Sequence, residues 1–389
     1  MKNKIKILNI IQTLNPAYGG IATPIVDISA MLINNGFKVD ILTYDNKNIS
    51  YVKSNKVKIY NKGPGYGKYT FSINLFLWLL KNRKNYDYFI IHGIWHFSSL
   101  ISRILLKNNY FVFLHGGLDP YFSKNFFKKI KKIIYWNLIE KKNLLNCKSL
   151  LLTTNHEKKL LDHTFVNTHK ITKSVVGYGI AKPKINKIKC INLFYKKFPY
   201  FKDKRFLLFL GRFDKKKGLE ILINSIKKLS KKNIKITLLL VGQNNTYKDT
   251  LKVLCKKNRL EKNIFWSDLL IGDLKWGSIL ASSGMVLSSH GENFGVSLAE
   301  SLSCSKPVLT TYKVNIYDHI IKYDAGLISK NTVPDFTKIL EKFHKYNDLR
   351  LKIISKNSLI CFNKEFNLNA KNNTFSTFLK KQYNNTLHK

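Results

Sequence analysis

The chain has 389 residues, 44% of them hydrophobic, and carries 67 Lys and Arg against 23 Asp and Glu, a formal net charge of +44. That length suits two domains of ordinary size, each with a substantial core. No run reaches the ~18 continuous apolar residues of a membrane-spanning helix, and five widely spaced cysteines without a CxxC string exclude a metal or disulfide framework, as in a cytosolic protein with reduced thiols.

The positive charge is spread along the whole chain. Joint richness in Lys, Asn and Ile fits the codon bias of an AT-rich genome. An anionic partner, nucleic acid or acidic membrane, is the functional alternative. No zinc-finger or glycine–aromatic RNA-binding string stands out, so bias is favoured, with a contribution from a membrane surface. The N-terminus, MKNKIKILNIIQTLNP, mimics a short signal peptide. Asn9, Gln12 and Thr13 interrupt it and no small-residue cleavage site follows, so it reads as a first buried strand.

Ile5 to Ile11 is that strand. A turn at Gly19-Gly20 follows, then a helix from about Ile21 to Asn34. The glycine pair suits close approach of backbone to a ligand, and equally an ordinary strand-to-helix turn. Gly36 caps the helix before a strand ending at Thr43. Val57–Tyr60 is a short strand, Phe71–Leu80 a helix, Tyr86–Gly93 a buried strand with its loop, and 98–106 a helix. The strand Tyr110–Leu114 ends in His115-Gly116-Gly117-Leu118-Asp119-Pro120. A lone His is commonly structural, but this one stands at a strand's carboxyl end before two glycines. His92 and His96 are weaker candidates near an acceptor. Residues 126–142, FFKKIKKIIYWNLIEKK, place apolar residues at helical spacing between lysines. They read either as a core-facing helix with a solvated lysine face or as a basic amphipathic helix on an anionic membrane. Leu150–Thr154 and Ser174–Ile180 close the first half. The polar, Lys-rich stretch 181–204, with Pro183 and Pro199, reads as a linker. The expected domains are 1–185 together with a final helix at about 367–389, and 195–366.

Phe206–Leu210 restarts the strand–helix pattern, which predicts a second Rossmann-like domain. Arg212 and Lys217 flank the turn that follows, and two cations beside a glycine turn and a helix start suit a diphosphate. Ile236–Val241 and Phe265–Ser267 are further strands, 274–281 a helix, and Phe362–Leu379 a helical tail. Between them, Met285–Leu287 ends a strand, Glu292–Gly295 forms a loop, Val296–Cys304 a helix and Pro307–Thr311 a strand. Glu292 thus sits where ligands bind in open parallel sheets. Glu300 lies one turn beyond Val296 on the same face, and the loop leaves free N–H groups at a helix N-terminus. An acidic pair at this spacing is, taken alone, commonly a solvated one. No Asp-x-Asp metal string occurs.

The string from Leu287 to Thr311 resembles the donor-site signature of retaining glycosyltransferases of family 4, with Glu292, Asn293, Phe294, Gly295, Ala299 and Glu300 in register and Pro307–Thr311 following. Gly211-Arg212-x4-Lys217-Gly218 resembles a second signature of that family. His115-Gly116, Leu118-Asp119-Pro120 and Asp324-Ala325-Gly326-Leu327 resemble a subgroup that builds surface polysaccharides; the Pro-Asn-Gly turn usual near the end of the first half is lacking. The resemblance implies a GT-B fold, two Rossmann-like α/β domains facing each other across a cleft, with the last helix crossing back to the first. It implies transfer, with retention, of a sugar from a nucleotide-diphosphate sugar such as a UDP- or GDP-sugar to a saccharide acceptor, lipid-linked through a polyprenyl diphosphate, without metal or cofactor. In this reading Arg212 and Lys217 hold the diphosphate and Glu300 the ribose. Glu292 contacts the donor sugar, supported by the loop Asn293–Gly295. Gly19 and Gly20 lie near the phosphates and acceptor, and His115 reaches the transferring sugar. A noncatalytic nucleotide-sugar binder on the same scaffold and a basic nucleic-acid binder stand as alternatives, the first opposed by the intact Arg212, Lys217, Glu292, Glu300 and His115.

Overall fold

The computed structural model describes residues 4–18, 20–119, 126–164, 166–369 and 372–387. The chain divides into two compact units, Met1–Gly179 with Lys371–Lys389, and Ile180–Ala370.

The first unit is built on seven strands: β1 (Lys6–Ile11), β2 (Lys38–Thr43), β3 (Lys58–Asn61), β4 (Tyr88–His92), β5 (Tyr110–Phe113), β6 (Ser149–Leu152) and β7 (Lys173–Val175). They run parallel in the order β3-β2-β1-β4-β5-β6-β7. The central strands are near-continuous apolar runs because helices cover both faces. Strand order reverses between β1 and β4, and at such a reversal the loops leaving the carboxyl ends open a crevice. The final helix, Asn372–Leu387, belongs to this unit. Its Phe375 and Phe378 pack edge-on against Phe113 and Phe111 at 6.0 and 5.6 Å.

The second unit has six strands: β8 (Leu207–Leu210), β9 (Leu238–Val241), β10 (Ile264–Ser267), β11 (Gly284–Leu287), β12 (Val308–Thr311) and β13 (Gly326–Ser329). These are again parallel, ordered β10-β9-β8-β11-β12-β13. The reversal falls between β8 and β11, which places the loop carrying Arg212 beside the loop carrying Glu292.

Three expectations need correction. The stretch read as a linker contains the helix Lys187–Lys197, capped by the Asn186 side chain. Cys190 and Phe194, four residues apart, are buried on one face of it. Helix Gly272–Ala281 packs so closely there that a Cβ on Gly277 would lie 2.1 Å from the Cys190 carbonyl oxygen. The tail is not one helix: Phe362–Phe366 ends the helix Asp348–Cys361 in a π turn. The chain then leaves helical geometry, with Leu368 N–H donating to the Ile180 carbonyl at 2.9 Å.

The third concerns the lysine-rich helix. It runs Phe126–Tyr135, then a π turn Trp136–Glu140, then Lys141–Asn146. Trp136 and Glu140 are buried, but Ile130, Ile134 and Leu138 are 41%, 55% and 64% exposed. The side chains of Phe126 and Phe127 lie outside the described residues. Glu140 anchors the buried side, accepting from the Trp95 N–H at 2.7 Å and from Asn143 Nδ2 at 3.3 Å. The core therefore takes a different face from the one the apolar spacing marked. Among the described residues no helix is long and apolar enough to cross a membrane. All five cysteines are free and buried.

Candidate functional site

In the second unit two loops are stitched together at the carboxyl ends of β8 and β11. After β8, Gly211 N–H donates to the Val241 carbonyl at 3.0 Å. Arg212 follows, exposed and without a salt bridge among the described residues. Asp214 caps the short 3-10 turn Lys215–Lys217 through the Lys216 N–H at 2.8 Å. Gly218 then takes φ +64°, and a Cβ there would lie 2.2 Å from the Ser288 carbonyl oxygen. Only glycine allows that approach. The return loop ties down the same backbone. Ser288 Oγ donates to the Gly218 carbonyl at 2.8 Å, and Ser289 Oγ and His290 N–H donate to the Lys216 carbonyl at 2.9 and 2.8 Å.

Glu292 is fixed from both sides: its N–H donates to Lys313 O at 2.9 Å, and its carbonyl accepts from Asn315 N–H at 3.0 Å. Its carboxylate accepts from the Lys217 ammonium, the two side chains being 21% and 17% exposed. Burial is the largest single influence on this carboxyl and favours the neutral form. Lys217, Lys216 and Arg212 together outweigh it and hold the group below its ordinary range. Glu300, on helix Val296–Ser303, pairs with Lys275 Nζ at 2.8 Å. Nothing in the sequence singles out Lys275, because its partner lies 25 residues away and the lysine is one of many. Gly295 starts the helix at φ +73°. Asn293 Oδ1 lies 3.5 Å from Asn315 Nδ2. Phe294, expected to serve the donor, is 6% exposed and packs edge-on against Phe366 at 5.7 Å. Its ring anchors the loop rather than facing solvent.

In the first unit, Gly20 is exposed in the turn before the helix Ala22–Asn34; Gly19 and Pro120 lie outside the described residues. His115 follows β5 in the left-handed region, φ +47°, a conformation that non-glycine residues keep only where the surroundings impose it. Its Nε2 lies 2.9 Å from His92 Nδ1, and His92 Nε2 lies 2.9 Å from Asn9 Oδ1. Burial pushes His115 down to about 4 and His92 well below its ordinary value, with His115 adding to the latter. Both rings are therefore neutral at pH 7. His92, expected at the edge of an acceptor, is instead interior and engages both nitrogens. His96 Nδ1 is buried without a hydrogen-bond partner among the described residues, and burial lowers its pKa.

Cations at Arg212, Lys216 and Lys217 beside the Glu292 carboxylate suit a ligand that carries both phosphate and hydroxyl groups. Residues 193–358 match the family described as Glycosyl transferases group 1. An uncharacterised glycosyltransferase of Methanocaldococcus jannaschii is 29% identical over 156 residues, 39% of this chain and 38% of that protein. The match thus spans about two fifths of that relative's length. Among solved structures, a sucrose-phosphate synthase from Thermosynechococcus elongatus superposes with a TM-score of 0.79 at 16% identity, over 98% of this chain and 99% of that one. HepE of Anabaena, in complex with UDP and glucose, gives 0.72 at 15% identity, over 97% and 100%. WaaG, a glycosyltransferase involved in lipopolysaccharide biosynthesis, gives 0.69 at 15% identity, over 92% and 95%. The chain has the GT-B fold, and its residues 193–358 are similar to the glycosyl transferases group 1 family.

Proposed function

We propose that the protein is a retaining glycosyltransferase that moves a sugar from a nucleotide-diphosphate sugar to a lipid-linked saccharide in surface-polysaccharide assembly. The cluster of Arg212, Lys217 and Glu292 inside the matched domain carries this reading. Breaking the anomeric C–O bond leaves negative charge on the departing diphosphate. Arg212 and Lys217 stabilise that charge as fixed cations, in place of a divalent ion, and the N-terminus of helix Val296–Ser303 adds to them. Lys217 exchanges Glu292 for phosphate when donor binds, and the freed carboxylate accepts hydrogen bonds from sugar hydroxyls. Glu300 likewise exchanges Lys275 for the ribose hydroxyls. His115 acts on the transferring sugar. Likeness to HepE bound to UDP and glucose supports a uridine nucleotide; retention follows the family-4 resemblance of Leu287–Thr311.

A thermal-shift panel of nucleotide sugars tests the donor, since ligand binding raises the melting temperature. Glu300→Ala is expected to weaken nucleotide affinity about 10- to 100-fold, the worth of one hydrogen bond to a charged group. His115→Ala is expected to leave affinity within about twofold and slow transfer by about tenfold or more, as for loss of an interaction made in the transition state. Wild-type turnover in both variants would sink the assignment.

The lipid-linked acceptor is supported by the exposed Ile130, Ile134 and Leu138, with exposed Lys131, Lys141 and Lys142 beside them. Such a face suits an anionic bilayer. Vesicles containing phosphatidylglycerol are expected to float more of the protein than pure phosphatidylcholine; equal flotation removes the membrane from the proposal.

A further inference from the structure

We propose that Asn9 and His92 are positioning residues that hold His115 as the neutral Nε2–H tautomer, so that its Nδ1 is the acceptor offered to a hydroxyl of the transferred sugar. The inference rests on the role proposed above for His115. Its direction comes from counting protons along four side chains. Ser29, inside helix Ala22–Asn34, has one hydroxyl proton and donates it to the Ile25 carbonyl at 2.8 Å. Its oxygen therefore accepts from Asn9 Nδ2 at 3.0 Å. That orients the Asn9 amide and turns Oδ1 toward His92 Nε2 at 2.9 Å. An amide oxygen only accepts, so His92 carries its proton on Nε2 and has a bare Nδ1. The bare nitrogen faces His115 Nε2 at 2.9 Å, which must donate. A neutral imidazole has one N–H, so His115 Nδ1 is left as a lone-pair acceptor, and no described residue hydrogen-bonds it.

The surroundings hold this state. Phe113 stacks on both rings at 5.8 and 5.1 Å, and Tyr178 meets His115 edge-on at 5.9 Å. Asn9 and His92 are buried among Ile and Leu on β1 and β4, diagonal to one another, with Asn9 opposite Ile90 and His92 opposite Ile11. An apolar residue at position 9 would pack there without the desolvation cost of an amide. The amide's distinct consequence is the imposed proton direction, ending at a residue beside the switch point of the sheet.

Long-range 1H–15N spectra of the ligand-free protein, labelled with 15N-histidine, read the tautomers directly. Both rings are expected to show a protonated Nε2 and a bare Nδ1. A protonated Nδ1 on either ring reverses the chain and overturns the proposal, whether or not the protein transfers sugar. In Asn9→Leu, His115 is expected to become a mixture of tautomers. Nucleotide release from UDP-glucose, UDP-galactose, UDP-N-acetylglucosamine or GDP-mannose, whichever turns over fastest, is expected to fall in kcat by the inverse of the Nε2–H fraction that the spectra read, about two- to tenfold, with KM unchanged. Ser29→Ala, which frees the amide to flip at no packing cost, gives the same reading if Asn9→Leu does not fold. Mixed tautomers with unchanged kcat overturn the positioning role and leave the glycosyltransferase reading intact. Absence of turnover by the unsubstituted protein strikes that reading, while the spectra still decide the tautomer.

Discussion

Gly218→Ala is expected to destabilise the second unit by roughly 2–5 kcal/mol and to abolish nucleotide-sugar binding. Two costs add. A residue with a Cβ pays about 1–2 kcal/mol for the left-handed conformation, which Gly218 adopts at φ +64°. The new methyl also lies 2.2 Å from the Ser288 carbonyl oxygen, a backbone atom that cannot rotate aside; overpacking of this kind costs about 1–3 kcal/mol. The strain falls on the junction where Ser288, Ser289 and His290 hold the Lys216–Gly218 backbone, so the cation pair and Glu292 move apart together. Calorimetry should show the transition lowered by roughly 4–20 °C, at about 2–4 °C per kcal/mol for a unit of this size. Gly272→Ala is the control: its φ is +54°, yet nothing lies within 4 Å of the added Cβ. If the two variants melt alike, the close approach is not what requires glycine at 218.

Arg212→Ala is expected to lower kcat about 10²- to 10³-fold while leaving the melting temperature unchanged. The figure is that of a preorganised charge stabiliser removed from a transition state. The stability is spared because Arg212 is exposed and makes no salt bridge among the described residues. Lys217→Ala differs in a way that tests the pairing. It removes the same kind of cation but also strands Glu292, a mostly buried carboxylate, and leaving such a group unsatisfied costs about 1–3 kcal/mol. Kinetics and melting measured on both variants should therefore separate: activity lost in both, stability lost only at position 217. Full activity in Arg212→Ala would remove the diphosphate assignment, and unchanged melting in Lys217→Ala would remove the ion pair as a structural contact.

Much of this arrangement is written locally. Strands buried on both faces read as short apolar runs, and the breaks after them fall at Gly211, Ser288-Ser289-His290-Gly291 and His115-Gly116-Gly117 because chain reversal at a strand end needs glycine or small polar residues. The helix carrying Glu300 follows from apolar spacing at Val296, Leu298, Ala299 and Leu302. Where composition and burial diverge, the local signal misleads. Lysines filling the solvated face of Lys187–Lys197 make a packed helix resemble a linker, since two buried residues, Cys190 and Phe194, suffice to hold it. At Ile130, Ile134 and Leu138 the apolar stripe faces solvent, while Trp136 and Glu140, at the two ends of the π turn, take the buried side.

The amino-acid order alone thus determines the two alternating α/β halves and their strand-end loops, because periodicity and turn chemistry are properties of neighbours along the chain, while Arg212, Lys217, Glu292, Glu300 and His115 stand out as candidates through the resemblance of their strings to family signatures. Tertiary structure decides who meets whom: Lys217 with Glu292, Lys275 with Glu300, and His92 with both His115 and Asn9. Those pairings span separations from 23 to 83 residues. They exist only because parallel strands distant in sequence lie side by side, and hydrogen bonds act over about 3 Å of space regardless of chain separation.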